Sequence, residues 1–310
     1  MKLFHVTNAS RTRTISVLAQ DAKSATEKAA DRMRKGTKPS AAEVPGVKVG
    51  EKTCRAVPAN RGIEAKYRKA LQRLIAEMHA SVEYWLTAAY RKDPPRMAAL
   101  VEQAQDASPS AKIKKVLDEL ARRWTDRFNE YAPKLAEAYL KGMFKASDSA
   151  FRAALKEAGW AVDFKMTPAV RDAFNASLAE NVGLIKSIPE KYLQQVEGVV
   201  MRSYSAGRDL ATIVKDLKEL YPAASHRAEL IARDQSNKAN AVVNRARQME
   251  LGIVSGKWMH SHAGKNPRPS HVAANGKEFK IAEGCLIDGE MILPGELINC
   301  RCTWRPILPI

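Results

Sequence analysis

A chain of 310 residues, 45% hydrophobic and 27% charged, is long enough for two or three cored domains and has an ordinary globular composition. No apolar run approaches the roughly 20 residues of a membrane span, the N-terminus lacks the apolar stretch of a secretory signal, and four cysteines exclude a disulfide scaffold. A formal charge of +17 favours a polyanionic neighbour, either nucleic acid or an acidic protein surface.

The basic excess is concentrated at the start of the chain. Residues 1–57 hold twelve Lys/Arg against five Asp/Glu, and Arg11, Arg13, Arg32, Arg34 and Lys35 are the candidates there for nucleic-acid contact. Leu3–Val6 and Thr14–Leu18 are short β-prone runs that can pair as a hairpin. Asp21–Arg34 is rich in helix formers and stops before Gly36, and Val47–Val49 and Thr53–Val57 alternate like edge strands. The spacing predicts a small ββαβ-like unit over residues 1–57.

Residues 58–164 read as a helical region. Tyr67, Leu71, Leu74, Ile75, Met78, Val82 and Trp85 recur at helical spacing, and Pro94-Pro95 ends that helix. Ser110 is a candidate N-cap for a second stripe of Ile113, Val116, Leu117, Leu120, Trp124 and Phe128, with lysines and arginines off it. A basic face of this kind either touches phosphate or is simply solvated. Pro133, Gly142 and Gly159 are expected to punctuate further helices. Thr167-Pro168 is an N-cap followed by proline in the first helical position, with breaks expected at Pro189, Gly207 and Tyr221-Pro222.

The helix from about Ala224 to Leu251 carries an unusually polar run, including Arg233, Asp234, Gln235, Asn237 and Asn240. Buried amides and guanidinium groups must be hydrogen-bonded, so this face is expected to brace the irregular segment that follows it; the alternative is a polar ligand pocket. That following segment, 252–310, holds three of the four cysteines, three of the six histidines and two of the five tryptophans. Cys285, Cys300 and Cys302 with one of His260, His262 or His271 would make a four-ligand zinc set, although Cys300-Arg301-Cys302 is not the usual Cys-x-x-Cys spacing. His271 is the favoured histidine. A disulfide from Cys285 to Cys300 or Cys302, or three reduced thiols, are the other readings.

Taken together, the Ile231–Gln235 run, Asn240, Gly252-Ile253, Trp258, Arg268-Pro269-Ser270-His271, Gly276, Pro294-Gly295 and Asn299–Cys302 resemble the phage Mu protein F-like family of minor head proteins. The Asn181–Pro189 run resembles the lead-in helices of such proteins, and the resemblance spans roughly residues 165–308. It departs where family members often carry acidic residues, at Ala263–Pro267. It implies a head-morphogenesis domain over residues 165–310, and a structural component of the prohead and virion assembled in the host cytoplasm. Portal protein, major capsid or scaffold protein and packaged DNA are the partners it implies, and no membrane. The fold class is α+β: a mainly α-helical middle, a small N-terminal α/β unit and a loop-rich, short-stranded C-terminal part. Two other functions stay open. His260, His262, Asn266, His271 and Asn275 faintly resemble a metal-dependent nuclease or toxin-like effector site, though no carboxylate pair sits nearby. The net charge admits a sequence-independent DNA-binding protein.

Overall fold

The computed structural model describes residues 2–7, 14–19, 22–30, 40–43, 51–92, 94, 109–264 and 266–309. The fold is α+β. Near the N-terminus, β1 (Lys2–Thr7) pairs antiparallel with β2 (Thr14–Ala19), Phe4 opposite Val17, as the β-prone runs predict. After α1 (Ala22–Ala30), β3 (Ser40–Glu43) joins the other edge of β1, giving the order β2-β1-β3. The expected strand at 47–49 lies outside the described residues, as do Arg11, Arg13, Arg32, Arg34 and Lys35.

The next strand does not stay with this unit. β4 (Glu51–Thr53) pairs antiparallel with β9 (Thr303–Pro309), Lys52 opposite Leu308, and the backbone N–H of Cys54 extends the ladder to Pro306. Cys54 and Val57 are buried in the C-terminal core rather than in an N-terminal one. Local alternation correctly suggests a strand here, but its partner lies some 250 residues away, beyond the reach of a local pattern.

Four long helices form the body: α2 (Arg61–Lys92), α3 (Pro109–Glu157), α4 (Pro168–Ser205) and α5 (Leu210–Glu250). The 49 residues of α3 extend about 74 Å at ~1.5 Å each. α3 packs on α4, and α5 packs on both α2 and α4. The apolar stripes predicted on α2 and α3 supply the core, with Leu71, Ile75, Met78, Trp124 and Phe128 all inside. Trp85 differs: it is 43% exposed, with the Arg123 guanidinium 5.4 Å from its ring.

The proline breaks are also corrected. Pro133, Pro189 and Pro222 all sit inside continuous helices, Gly142 inside α3, and Ser110 follows Pro109 as the second residue of that helix rather than its cap. An interior proline costs about 3 kcal/mol through its missing N–H and ring clash. Here fully buried neighbours on both sides, Ala132 and Ala136 around Pro133, Ile188 and Tyr192 around Pro189, keep the helix axis committed to the core. The capping signals hold where they are local: Thr167 accepts the Val170 N–H at 3.3 Å with Pro168 first in the helix, and Gly207 (φ 61°) separates α4 from α5. No described helix is long and apolar enough to cross a membrane.

The C-terminal part contains β5 (Ser255–Met259), the short α6 (Pro269–Ala273), β6 (Glu278–Lys280), β7 (Cys285–Ile287), β8 (Glu290–Ile292) and β9. Its main sheet has the order β4-β9-β5-β6, and β7-β8 form a separate hairpin. Gly256 in β5 lies against Trp304, where a Cβ would come within 2.6 Å of the indole ring. Trp258, Trp304, Phe279 and Ile253 fill a core distinct from that of the helices, closed on one side by α3 residues Phe151 and Leu155.

Candidate metal centre and its polar brace

The C-terminal half of α5 lies beneath the C-terminal segment, and polar side chains from Asp234 to Gln248 are buried there. Asn240 Nδ2 donates to the Val57 carbonyl at 2.8 Å, and Asn244 Nδ2 reaches the same oxygen at 3.4 Å. The Asp234 carboxylate accepts the backbone N–H of Asn299 at 3.1 Å, holding that residue at φ 60°. Burial raises the Asp234 pKa, and Lys238 beside it works against that rise. Trp304 Nε1 donates to Gln248 Oε1 at 2.7 Å, tying β9 to the same helix. Arg247, 3% exposed, grips Asp148 with two hydrogen bonds of 2.8 Å and donates to the Lys165 carbonyl.

Two residues of the polar run do other work. Arg233 pairs with Glu229 one turn back rather than with the loop segment. Gln235 faces the helical body, where its carbonyl accepts from Asn181 Nδ2 (2.7 Å) and its amide donates to Glu180 (2.9 Å). Asn181 in turn accepts from the Tyr67 hydroxyl, whose ring stacks on Tyr139, and Tyr139 donates to Ser236. Spacing does not reveal this buried polar chain through the bundle, because a tyrosine at helical spacing reads simply as apolar stripe. Asn237 Nδ2 and Asn240 Oδ1 have no protein partner. Both residues line a cavity of about 10 Å³, roughly the room one water needs.

Above this face, His271, Cys300 and Cys302 converge. Their donor atoms lie within 4.8 Å of one another, and all three residues are buried, at 3%, 2% and 7% exposure. His271 Nδ1 is 3.4 Å from Cys300 Sγ and 3.7 Å from Cys302 Sγ. α6 supplies the histidine, whose ring meets Trp258 edge-on at 5.3 Å. The turn at Pro294-Gly295 supplies a donor: the Gly295 N–H points at Cys300 Sγ, 3.3 Å away. Gly295 is required there twice over, with φ 90° and a Cβ position only 3.3 Å from the Asn237 carbonyl. A hydrogen bond from Cys302, helped by backbone N–H groups and His271 and opposed by burial, pulls the Cys300 thiol below its usual range. The same hydrogen bond, with burial, pushes Cys302 up.

Cys285, grouped with these thiols from sequence, is not in the cluster. It sits on β7 opposite Ile292 with its side chain in the apolar core, and burial raises its pKa. The four thiols are free, Cys54 raised to about 11 by burial. His260 and His262 fall just past the end of β5 rather than on it: the backbone turns, with His262 at φ 50°, and the two rings pack edge-to-face at 4.6 Å. Asn275 accepts the His260 backbone N–H through its side-chain oxygen at 2.9 Å, and so serves the turn rather than an open site.

A helical body thus carries a small cysteine–histidine α+β module whose thiols and imidazole are turned inward. Residues 194–305 of the 310 match the family described as Phage Mu protein F like protein, and that segment is similar to it. The match opens in α4 and closes in β9, so it takes in the α5 side chains of the brace and the whole cluster. At family level the association is with phage head morphogenesis. An uncharacterized protein of Haemophilus influenzae (strain Rd) is 37% identical over 145 residues, 46% of this chain and 31% of that protein. The alignment thus spans about a third of the relative's length. No solved structure matches the chain.

Proposed function

We propose that this chain is a minor structural protein of a phage head, joining the prohead during assembly near the portal and remaining in the virion. The observation that carries the reading is the coincidence of the family match, residues 194–305, with a module whose thiols and imidazole are sealed from solvent. Groups buried in this way hold a shape; they do not meet a substrate. In this reading the module is a fixed recognition surface for portal, capsid or scaffold protein, and the helical body gives it reach. The nuclease alternative needs His260, His262 and His271 on one open face, whereas His271 turns inward to the two thiols.

The test is compositional. Heads purified by sedimentation from a lysate of the phage or prophage that encodes this chain are analysed by mass spectrometry. The chain is expected in the head fraction at low copy, in DNA-free proheads as well as filled heads. Recovery solely at the top of the gradient would overturn the proposal.

A second reading, contact with packaged DNA, is favoured by the +17 charge. Several cations of α3 are already engaged: Lys114 with Asp118 and Glu197, Arg127 with Glu77 and the Trp124 ring. If DNA contact is real, affinity for random-sequence duplex should fall steeply and log-linearly with salt, by roughly 0.9 log units per log unit of salt for each phosphate neutralised. A flat salt response would remove it.

A further inference from the structure

The convergence of His271, Cys300 and Cys302 has a specific metrical property. A tetrahedral zinc with Zn–S of about 2.3 Å and Zn–N of about 2.05 Å sets its nitrogen and sulfur ligands about 3.5 Å apart. The two N···S distances here are 3.4 and 3.7 Å, both from the same imidazole nitrogen. Hydrogen bonding alone explains this arrangement poorly. Cys302 and the Gly295 N–H also bond Cys300, but Nδ1 has one lone pair or one proton and can serve only one of the two sulfurs that stand at this distance from it. His271 Nε2 is buried without a partner, so the ring gains nothing on its other side that would fix it here.

We infer that His271 Nδ1, Cys300 Sγ and Cys302 Sγ are three ligands of a structural zinc-type divalent cation, with the fourth supplied by the His260–His262 turn. Two thiolates and imidazole select zinc among the common divalent ions by their softness and geometry. A cation would also neutralise thiolate charge in a water-free place, where an unpaired charge is costly. The Gly295 N–H directed at Cys300 Sγ is the kind of outer contact that orients a metal-bound sulfur.

The fourth ligand comes from the turn that follows β5. The β5–β9 ladder closes at Met259 opposite Thr303, and the backbone then turns, with His262 at φ 50°. The Arg301 guanidinium donates to the Ala263 carbonyl, which holds this turn beside the Cys300–Cys302 segment. Cys285, on the separate hairpin, is left out.

The full-length protein is produced in cobalt-substituted medium and its visible and near-ultraviolet absorption recorded, beside elemental analysis of protein grown with zinc. One metal per chain is expected, with tetrahedral cobalt bands and charge-transfer intensity for two thiolates. Cys302→Ser should halve that intensity, and Cys285→Ser should leave it unchanged. His260→Gln combined with His262→Gln should weaken retention against a competing chelator by at least the roughly 10–100-fold seen when a ligand's supporting shell is lost. Metal-free wild-type protein, or a spectrum lost in Cys285→Ser, would overturn the assignment. Unchanged retention in the double histidine variant would overturn the fourth ligand. The wild-type spectrum decides the matter even if a variant fails to fold.

Discussion

In the helical body the side chains removed from water are large and apolar, drawn from four helices of 32 to 49 residues, with one internal polar chain through Tyr67, Asn181 and Gln235. In the C-terminal module the strands are three to seven residues long; Phe151 and Leu155 of α3 close its core, and α5 adds polar links: Asn240 to Val57, Asp234 to Asn299, Gln248 to Trp304. The body resembles an ordinary bundle in which buried area dominates and individual hydrogen bonds matter little. The module has a small core and cannot rely on area alone, so particular hydrogen bonds, and in our inference a metal, fix its shape.

This contrast can be broken or sharpened by substitution. The largest effect is expected from Trp258→Ala, which empties the centre of the module core beside His271 and should cost about 3–5 kcal/mol in denaturant unfolding. Arg247→Ala comes next: it leaves the Asp148 carboxylate and the Lys165 carbonyl without their donor at the seam between body and module, and should cost about 3–5 kcal/mol by the same measurement. Leu140→Ala, in the centre of the bundle, should cost about 2–5 kcal/mol while leaving near-ultraviolet signals of Trp258 and Trp304 native-like under folding conditions. If the module signals vanished with it, the two regions would not be separable.

Asn240→Ala removes the shorter of the two donors on the Val57 carbonyl and should cost about 1–3 kcal/mol, with faster hydrogen exchange around residues 54–58. An effect indistinguishable from zero would mean that the polar brace does not hold the module. Thr167→Ala tests local capping instead, at about 1 kcal/mol in thermal unfolding, and should not disturb the C-terminal sheet.

The same contrast explains what was legible in the sequence. Helical stripes and caps are local, so Leu71, Met78, Leu120 and Phe128 as core, and Thr167 as cap, could be read directly. The prolines mislead because their signal is local: Pro133, Pro189 and Pro222 each carry a breaker's cost, but packing over 38 to 49 residues outweighs it. Trp85 fits the α2 stripe yet stands outside, since spacing cannot reveal where a neighbouring helix ends its cover. In the module, alternate positions suffice to put Cys300 and Cys302 on one side. Nothing in spacing tells that Cys285 faces the apolar core of a separate hairpin, or that β4 crosses to β9. Those facts belong to long-range pairing, which the chain encodes only through the completed fold.

The most direct test of the account is amide hydrogen exchange on the full chain with and without a zinc chelator, under reducing conditions. The account predicts that protection falls across residues 255–308, chiefly in β5, α6 and β9, while α2, α3 and α4 keep theirs. Unchanged protection in the module, or equal loss in the helical body, would contradict the claim that the two regions are held by different means.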